Sequence, residues 1–153
     1  MTWTSDGQLS AWSKGSLSMT LTYTSDGQLK TMTDLLGASR SYSYDSAGRL
    51  SGVTSAEGVS LSYSYDADHP LLYSTISQGS TVINTFEYDS LGRMIAAGDA
   101  EGNELAWTYG EDGLLSAAED AEGGLMVYSR DAAGRVTDAE GRYVAAAVPP
   151  GPA

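Results

Sequence analysis

Apolar and polar residues alternate along most of the chain. Val59-Ser-Leu-Ser-Tyr-Ser-Tyr65 alternates strictly. Leu17-Ser-Met-Thr-Leu-Thr-Tyr23 does the same, and Leu105-Ala-Trp-Thr-Tyr109 keeps the pattern. A period of two is the signature of a half-buried strand, and Tyr, Val and Thr fit a pleated surface. The apolar members face one side, and Ser and Thr face the other. Tyr42, Tyr44, Tyr63, Tyr65, Phe86, Tyr88, Trp107 and Tyr109 are therefore expected on one face, mostly buried.

The strands are separated by turn chemistry. In Asp45-Ser-Ala-Gly48, Asp at the first position of a type I turn accepts hydrogen bonds from the backbone beyond it. Gly at the fourth position supplies a left-handed conformation and closes a bulged hairpin. A second set of turns follows the next strand. It comprises Asp34-Leu-Leu-Gly37, Ser55-Ala-Glu-Gly58, Asp99-Ala-Glu-Gly102, Asp120-Ala-Glu-Gly123 and Asp138-Ala-Glu-Gly141. Gly48, Gly92 and Gly102 are expected at positive φ.

The pattern recurs about seven times. Gly7, Gly27, Gly48, His69, Gly92, Gly113 and Gly134 mark successive copies, 20 to 23 residues apart. A fixed period of this length means a repeat architecture. With two strands per copy, the expectation is an all-β meander of about fourteen short antiparallel strands. Twist accumulates across so wide a sheet, which favours a curled or spiralling form. Residues 1–144 are expected to form the repeat domain. Residues 145–153, rich in Ala, Pro and Gly, read as a flexible tail.

Composition narrows the function. The 153 residues carry a net charge of −12, with only eight Lys and Arg, which argues against nucleic acid. There is no cysteine, so neither a disulfide scaffold nor a thiolate metal site is expected. No apolar run approaches a membrane span. Ten Tyr and three Trp stand against one Phe.

The clearest copies are Tyr44-Asp45-Ser-Ala-Gly48-Arg49-Leu50 and Tyr88-Asp89-Ser-Leu-Gly92-Arg93-Met94. A third has Asp131, Gly134 and Arg135, with Arg130 in the Tyr position and Val136 in the Leu position. Copies at Trp3 and Tyr23 read Thr-Ser-Asp-Gly-Gln-Leu, and the copy at Tyr65 has His69-Pro70 where Gly-Arg is expected. Tyr-Asp-x-x-Gly-Arg-Leu in register at this period resembles the YD repeats of the Rhs family, which includes bacterial Rhs polymorphic toxins, insecticidal toxin-complex subunits and teneurins. The resemblance implies a YD-repeat shell segment, secreted or extracellular, whose complete shell encloses a toxin or cargo. It implies partners in other repeats or in the C-terminal toxin of a parent Rhs protein. No plug or autoproteolytic segment of such a parent is recognisable here.

Candidate chemistry is sparse. His69 is the single histidine and sits in a proline-containing turn. Asp66 and Asp68 alternate like the start of a calcium loop, but the required Gly and closing Glu are missing. The repeated aspartates invite a two-carboxylate glycosidase reading, yet their recurrence at turn positions needs only turn geometry. No cofactor, metal or enzymatic activity is expected. Arg49, Arg93 and Arg135 are expected to pair with neighbouring acidic turns containing Glu57, Glu101 and Glu122. Tyr44, Asp45, Gly48, Arg49, Leu50, Tyr88, Asp89, Gly92, Arg93, Asp131, Gly134 and Arg135 are thus assigned as a structural motif. The alternative is an extracellular adhesion or carbohydrate-binding module, with sugar rings stacked on the aromatic face. Self-association through the free sheet edges is expected in either case, at Met1 to Ser5 and at Arg142 to Val148.

Overall fold

The computed structural model describes residues 1–143. It is all-β, with fourteen strands that follow one another in the sheet in chain order, without a crossover. The pairings among the described residues are antiparallel. β1 (Thr2–Trp3) and β14 (Val136–Tyr143) end the order. There is no helix among the described residues, and so none long and apolar enough to cross a membrane. The chain divides into two compact units. One holds Met1–Ser64 and Ile76–Thr81, the other Tyr65–Thr75 and everything from Val82 onward. The expected tail at 145–153 lies outside the described residues.

The first unit contains β2 (Leu9–Lys14), β3 (Leu17–Tyr23), β4 (Leu29–Thr33), β5 (Ser39–Tyr44) and β6 (Leu50–Thr54), and most of β7 (Ser60–Tyr65). Their two faces are set by register. Leu21 pairs Met32, Met32 pairs Arg40, Tyr42 pairs Val53 and Val53 pairs Leu61. The opposite face carries a row of hydroxyls, Thr22, Thr31, Ser41, Thr54 and Ser60. Thr22 and Thr31 bond at 2.6 Å, and Thr54 and Ser60 at 2.9 Å.

The second unit contains most of β9 (Thr81–Tyr88), β10 (Met94–Asp99), β11 (Glu104–Tyr109), β12 (Leu115–Glu119) and β13 (Gly124–Arg130), together with β14. Part of β8 (Tyr73–Gln78) also belongs to it. Phe86 pairs Ala97, Leu105 pairs Ala97, and Trp107 pairs Ala118, so small residues lie beside the large rings.

The aromatic alternation is present. Tyr42, Tyr44, Tyr63, Tyr65, Phe86, Tyr88, Trp107 and Tyr109 are half-buried, while Ser41, Ser43, Ser62, Ser64, Thr85, Glu87 and Thr108 between them are exposed. None of these rings is closed off. Among the described residues, Ala96 at 8% exposure is the one buried hydrophobic side chain. A single sheet layer covers its side chains only with their neighbours, which leaves the outer part of each ring open.

Two hairpins have turns that the motif analysis did not single out. Lys14 pairs Leu17 across Gly15-Ser16, and Gln78-Gly79-Ser80 joins β8 to β9, with Gly15 at φ +64° and Gly79 at φ +59°. Gly-Ser between two alternating runs is a two-residue hairpin signal. A further expected turn is absent. Asp138 to Gly141 lies inside β14, where Asp138 pairs Ser129 and Gly141 pairs Met126. Here the segment stays extended and pairs along β13.

Gly48, Gly92 and Gly102 have φ of 78°, 75° and 87°, and every positive-φ residue described is a glycine. Gly102 isolates the backbone effect, since a Cβ there meets nothing within 4 Å. Gly102→Ala should cost about 1–2 kcal/mol through left-handed strain alone. Gly52→Ala should be destabilising for another reason, a Cβ only 2.7 Å from Ser43 Oγ and 3.3 Å from the Leu61 carbonyl. Adding Ser43→Ala should relieve part of the Gly52 defect in chemical denaturation, whereas no neighbouring truncation should rescue Gly102→Ala.

Candidate functional site

The repeated turns are the richest concentration of polar chemistry in the chain. In the copy beginning at Tyr44, Asp45 N donates to Arg49 O (2.9 Å) and Gly48 N to Asp45 O (3.0 Å). The Asp45 carboxylate then organises the loop. Oδ1 accepts from Ala47 N and Arg49 N, both at 2.9 Å, and Oδ2 accepts from Arg49 Nε at 2.7 Å. Asp89 repeats this with Leu91 N, Arg93 N and Arg93 Nε. Asp131 repeats it with Ala133 N, Arg135 N and Arg135 Nε.

These motif arginines form ion pairs with the aspartate four residues earlier. The ion pairs described are local ones, where pairing with acidic turns at Glu57, Glu101 and Glu122 was expected. The short i to i+4 reach of a tight turn outcompetes a bond between two solvated side chains farther apart. Arg93 also lies over the Tyr109 ring, 4.4 Å from its centroid, and so bridges to the next repeat.

Variant copies keep the geometry with other groups. At Asp66 the ring Nδ1 of His69 takes the arginine's place at 2.9 Å, and Asp68 N and His69 N complete the cage. At Thr4 and Thr24 a hydroxyl replaces the carboxylate and accepts from Gln8 N and Gln28 N, each at 3.1 Å. The freed glutamine side chains reach forward instead. Gln8 Nε2 donates to Gly27 O and Gln28 Nε2 to Gly48 O, both at 2.7 Å. At Asp99, Asn103 N and Nδ2 fill the same roles.

The motif tyrosine does different work. A bulge in each turn hairpin sets Tyr23 opposite Leu29, Tyr44 opposite Leu50, and Tyr109 opposite Leu115. The ladder to the preceding repeat stops short of this level. Its last pair is Thr31 with Ser41 between β4 and β5, and Ala96 with Ala106 between β10 and β11. The tyrosine hydroxyl crosses the gap. Tyr23 donates to Leu9 O, Tyr44 to Leu29 O, Tyr88 to Tyr73 O and Tyr109 to Met94 O, at 2.8–2.9 Å. Arg130, in the tyrosine position, donates from Nη2 to Leu115 O at 2.9 Å and from Nη1 to Gly134 O at 3.2 Å. Motif recognition located these residues, but nothing in the alternation showed that their hydroxyls clasp one repeat to the last.

Hydrogen bonds hold Asp45, Asp66, Asp89, Asp99 and Asp131 below the ordinary carboxylate range, in the charged form. The largest cause is the backbone N–H of Arg49 for Asp45 and of His69 for Asp66. For Asp89, Asp99 and Asp131 it is the side chain of Arg93, Asn103 and Arg135. No group of three or more His, Cys, Asp or Glu that could hold a metal ion occurs among the described residues.

The whole arrangement joins one repeat to the one before it. The sequence matches the teneurin YD-shell family over residues 1–98 and 45–147. The chain belongs to that family. Among solved structures, one similar fold lies in the crystal structure of TcdB2-TccC3-Cdc42, with TM-score 0.71 and 13% identity over 90% of this chain. Another lies in the Photorhabdus luminescens Tc holotoxin pore, with TM-score 0.68 and 14% identity over 93% of this chain. This YD-shell chain spans only 8% of each of those chains. No curated protein matches the sequence.

Two outcomes test the turn and the clasp. Tyr44→Phe and Tyr109→Phe should each lower stability by about 1 kcal/mol in urea denaturation, the loss of one hydrogen bond to a carbonyl left without a partner. Arg130→Tyr should be tolerated better than Arg130→Ala. The caged aspartates set the acid limit. Their folded pKa values lie below 3.8, so their contribution is present above about pH 4 and lost as pH falls through the lower folded values. Stability measured from pH 7 to 2 should fall only below about pH 4 on this account. Asp89→Asn should lower the neutral-pH plateau and shrink that fall.

Proposed function

We propose that this chain is a non-enzymatic wall segment of an Rhs-type YD shell that encloses a toxin or other cargo. The observation that carries the reading is the uniform junction: each clasp described joins one repeat to the one before it, so the sheet extends by adding copies. In this reading residues 1–144 are the repeat domain and 145–153 a tail. Tyr44, Asp45, Gly48, Arg49 and Leu50, with their counterparts at Tyr88 to Arg93 and at Asp131 to Arg135, serve the wall alone. The partners are further repeats or the C-terminal toxin of a parent protein, and the setting is secreted or extracellular.

Enclosure has a direct test. Protein captured from its source cells with an antibody to the repeats is treated with protease. The expected result is a covalently continuous or co-purifying polypeptide that resists cleavage until denaturant opens the repeats. Cleavage at the same rate before and after denaturation would rule out enclosure.

The sheet ends supply a second expectation. β1 is two residues long, and Met1 and Trp3 are 74% and 61% exposed. Unpaired edge groups template pairing with another chain. The isolated chain should associate through β1 or β14, more strongly in high salt, which screens its net charge of −12. Light scattering that stays monomeric at high protein and salt concentration would count against this.

The alternative, an adhesion or carbohydrate module, draws on the half-buried rings of the aromatic face. It requires saturable glycan binding that Trp107→Ala abolishes without unfolding the sheet.

A further inference from the structure

One groove in the first unit holds polar groups that the turn and the clasp do not use. It lies where β4 and β5 separate below the Thr31–Ser41 pair, beside the turn that ends β3. Its volume is about 410 Å³, within the range of roughly 300–1,000 Å³ typical of small-molecule sites. Asp26, Lys30, Tyr42 and Ser43 line it, with Thr24 and Tyr44.

The two charges in this groove do not satisfy each other. Lys30 is exposed and makes no ion pair or hydrogen bond among the described residues. The carboxylate of Asp26 meets only Ser25 Oγ, at 3.4 Å. Tyr42 is half-buried, yet its hydroxyl has no partner among the described residues, unlike the neighbouring clasp hydroxyls of Tyr23 and Tyr44. Thr24 Oγ1 accepts from Gln28 N and keeps its own proton to donate. The combination belongs to this repeat alone. The residue in the Lys30 position is Ser10, Ser51, Ile95, Ser116 or Thr137 in the other copies whose turns align without a gap.

An anion would use only the ammonium, and a cation only the carboxylate. A ligand that uses both must donate and accept through closely spaced groups. Hydroxyls do both. A ring edge or face beside Tyr42 adds apolar contact of the kind an amphipathic aromatic offers. We infer that the groove between β4 and β5 is a binding site for a neutral saccharide ring, with Lys30 donating to a ring hydroxyl, Asp26 accepting from one, and Tyr42 providing the wall. This chemistry is independent of whether the sheet encloses cargo.

The test is a titration of the isotope-labelled full chain with methyl glycosides of glucose, galactose, mannose and N-acetylglucosamine, followed by amide chemical shifts. Saturable shifts confined to residues 24–30 and 41–45 are expected with at least one glycoside. Asp26→Asn and Lys30→Ala should each weaken that binding by at least about tenfold, a loss read directly from Kd, with the urea midpoint unchanged. Tyr42→Phe keeps the ring and should weaken it less than Tyr42→Ala. Three results would overturn the inference: no saturation with any glycoside, shifts centred on Trp107 instead, or binding of N-acetylneuraminic acid alone, which would mean that only the Lys30 charge is in use.

Discussion

The structure depends on how a strand ladder continues across a bulge. Each motif hairpin carries an extra residue on its second strand, as Ser51 does between Leu50 and Gly52, which pair the adjacent Tyr44 and Ser43. A bulge bends the strand and interrupts pairing. On the far side the next repeat can no longer pair at that level, and a backbone carbonyl is left facing its neighbour. An unsatisfied carbonyl in a half-covered place is costly. The tyrosine hydroxyl removes that cost and joins the repeats in the same bond. Where arginine stands in the position, at Arg130, a different donor reaches the same kind of acceptor. The constraint is therefore a donor of suitable length, and tyrosine is its usual form.

The turns obey a similar logic of roles. A carboxylate that accepts two backbone N–H groups through one oxygen leaves the other open to a side chain four positions downstream, as with Arg49, Arg93, Asn103 and Arg135. His69, three positions downstream, bonds instead to the oxygen that already takes the backbone groups. Where threonine replaces the carboxylate there is no second oxygen, and the glutamine that follows turns outward to the next turn's glycine carbonyl. Sequence divergence between copies therefore trades a bond within a turn for a bond between turns. In a repeat array, stability is a sum of such local and nearest-neighbour terms. Copies that look degenerate still contribute to a junction.

Much of this was legible in the residues. Strict alternation at Val59 to Tyr65 marks β7, and the DxxG spacing marks the left-handed glycines, because both follow from local geometry. What escaped was decided by neighbours. Asp138 to Gly141 has the turn composition but continues as strand, since pairing along β13 satisfies its backbone. The motif arginines looked outward on charge alone, and the turn's geometry brings each within 2.7–2.8 Å of its own aspartate. The Lys30 groove was invisible for the same reason. Its residues are unremarkable singly and meet only because β4 and β5 part company below Thr31.

The composition can now be explained. Ten tyrosines against one phenylalanine is more than a preference for large rings. A single-layer sheet cannot close over its side chains, and among the described residues only Ala96 is buried. Such a face needs residues that pack with a ring and tolerate water at the rim. Phenylalanine meets the first demand alone. Tyr23, Tyr44, Tyr88 and Tyr109 meet both, and each spends its hydroxyl on the preceding repeat. Phe86 sits two residues before the clasp, opposite Ala97, where its ring packs without a hydroxyl. At the clasp positions the choice of side chain follows from the backbone carbonyl beside it, and the same rule places arginine rather than phenylalanine at the one described junction where tyrosine is lost.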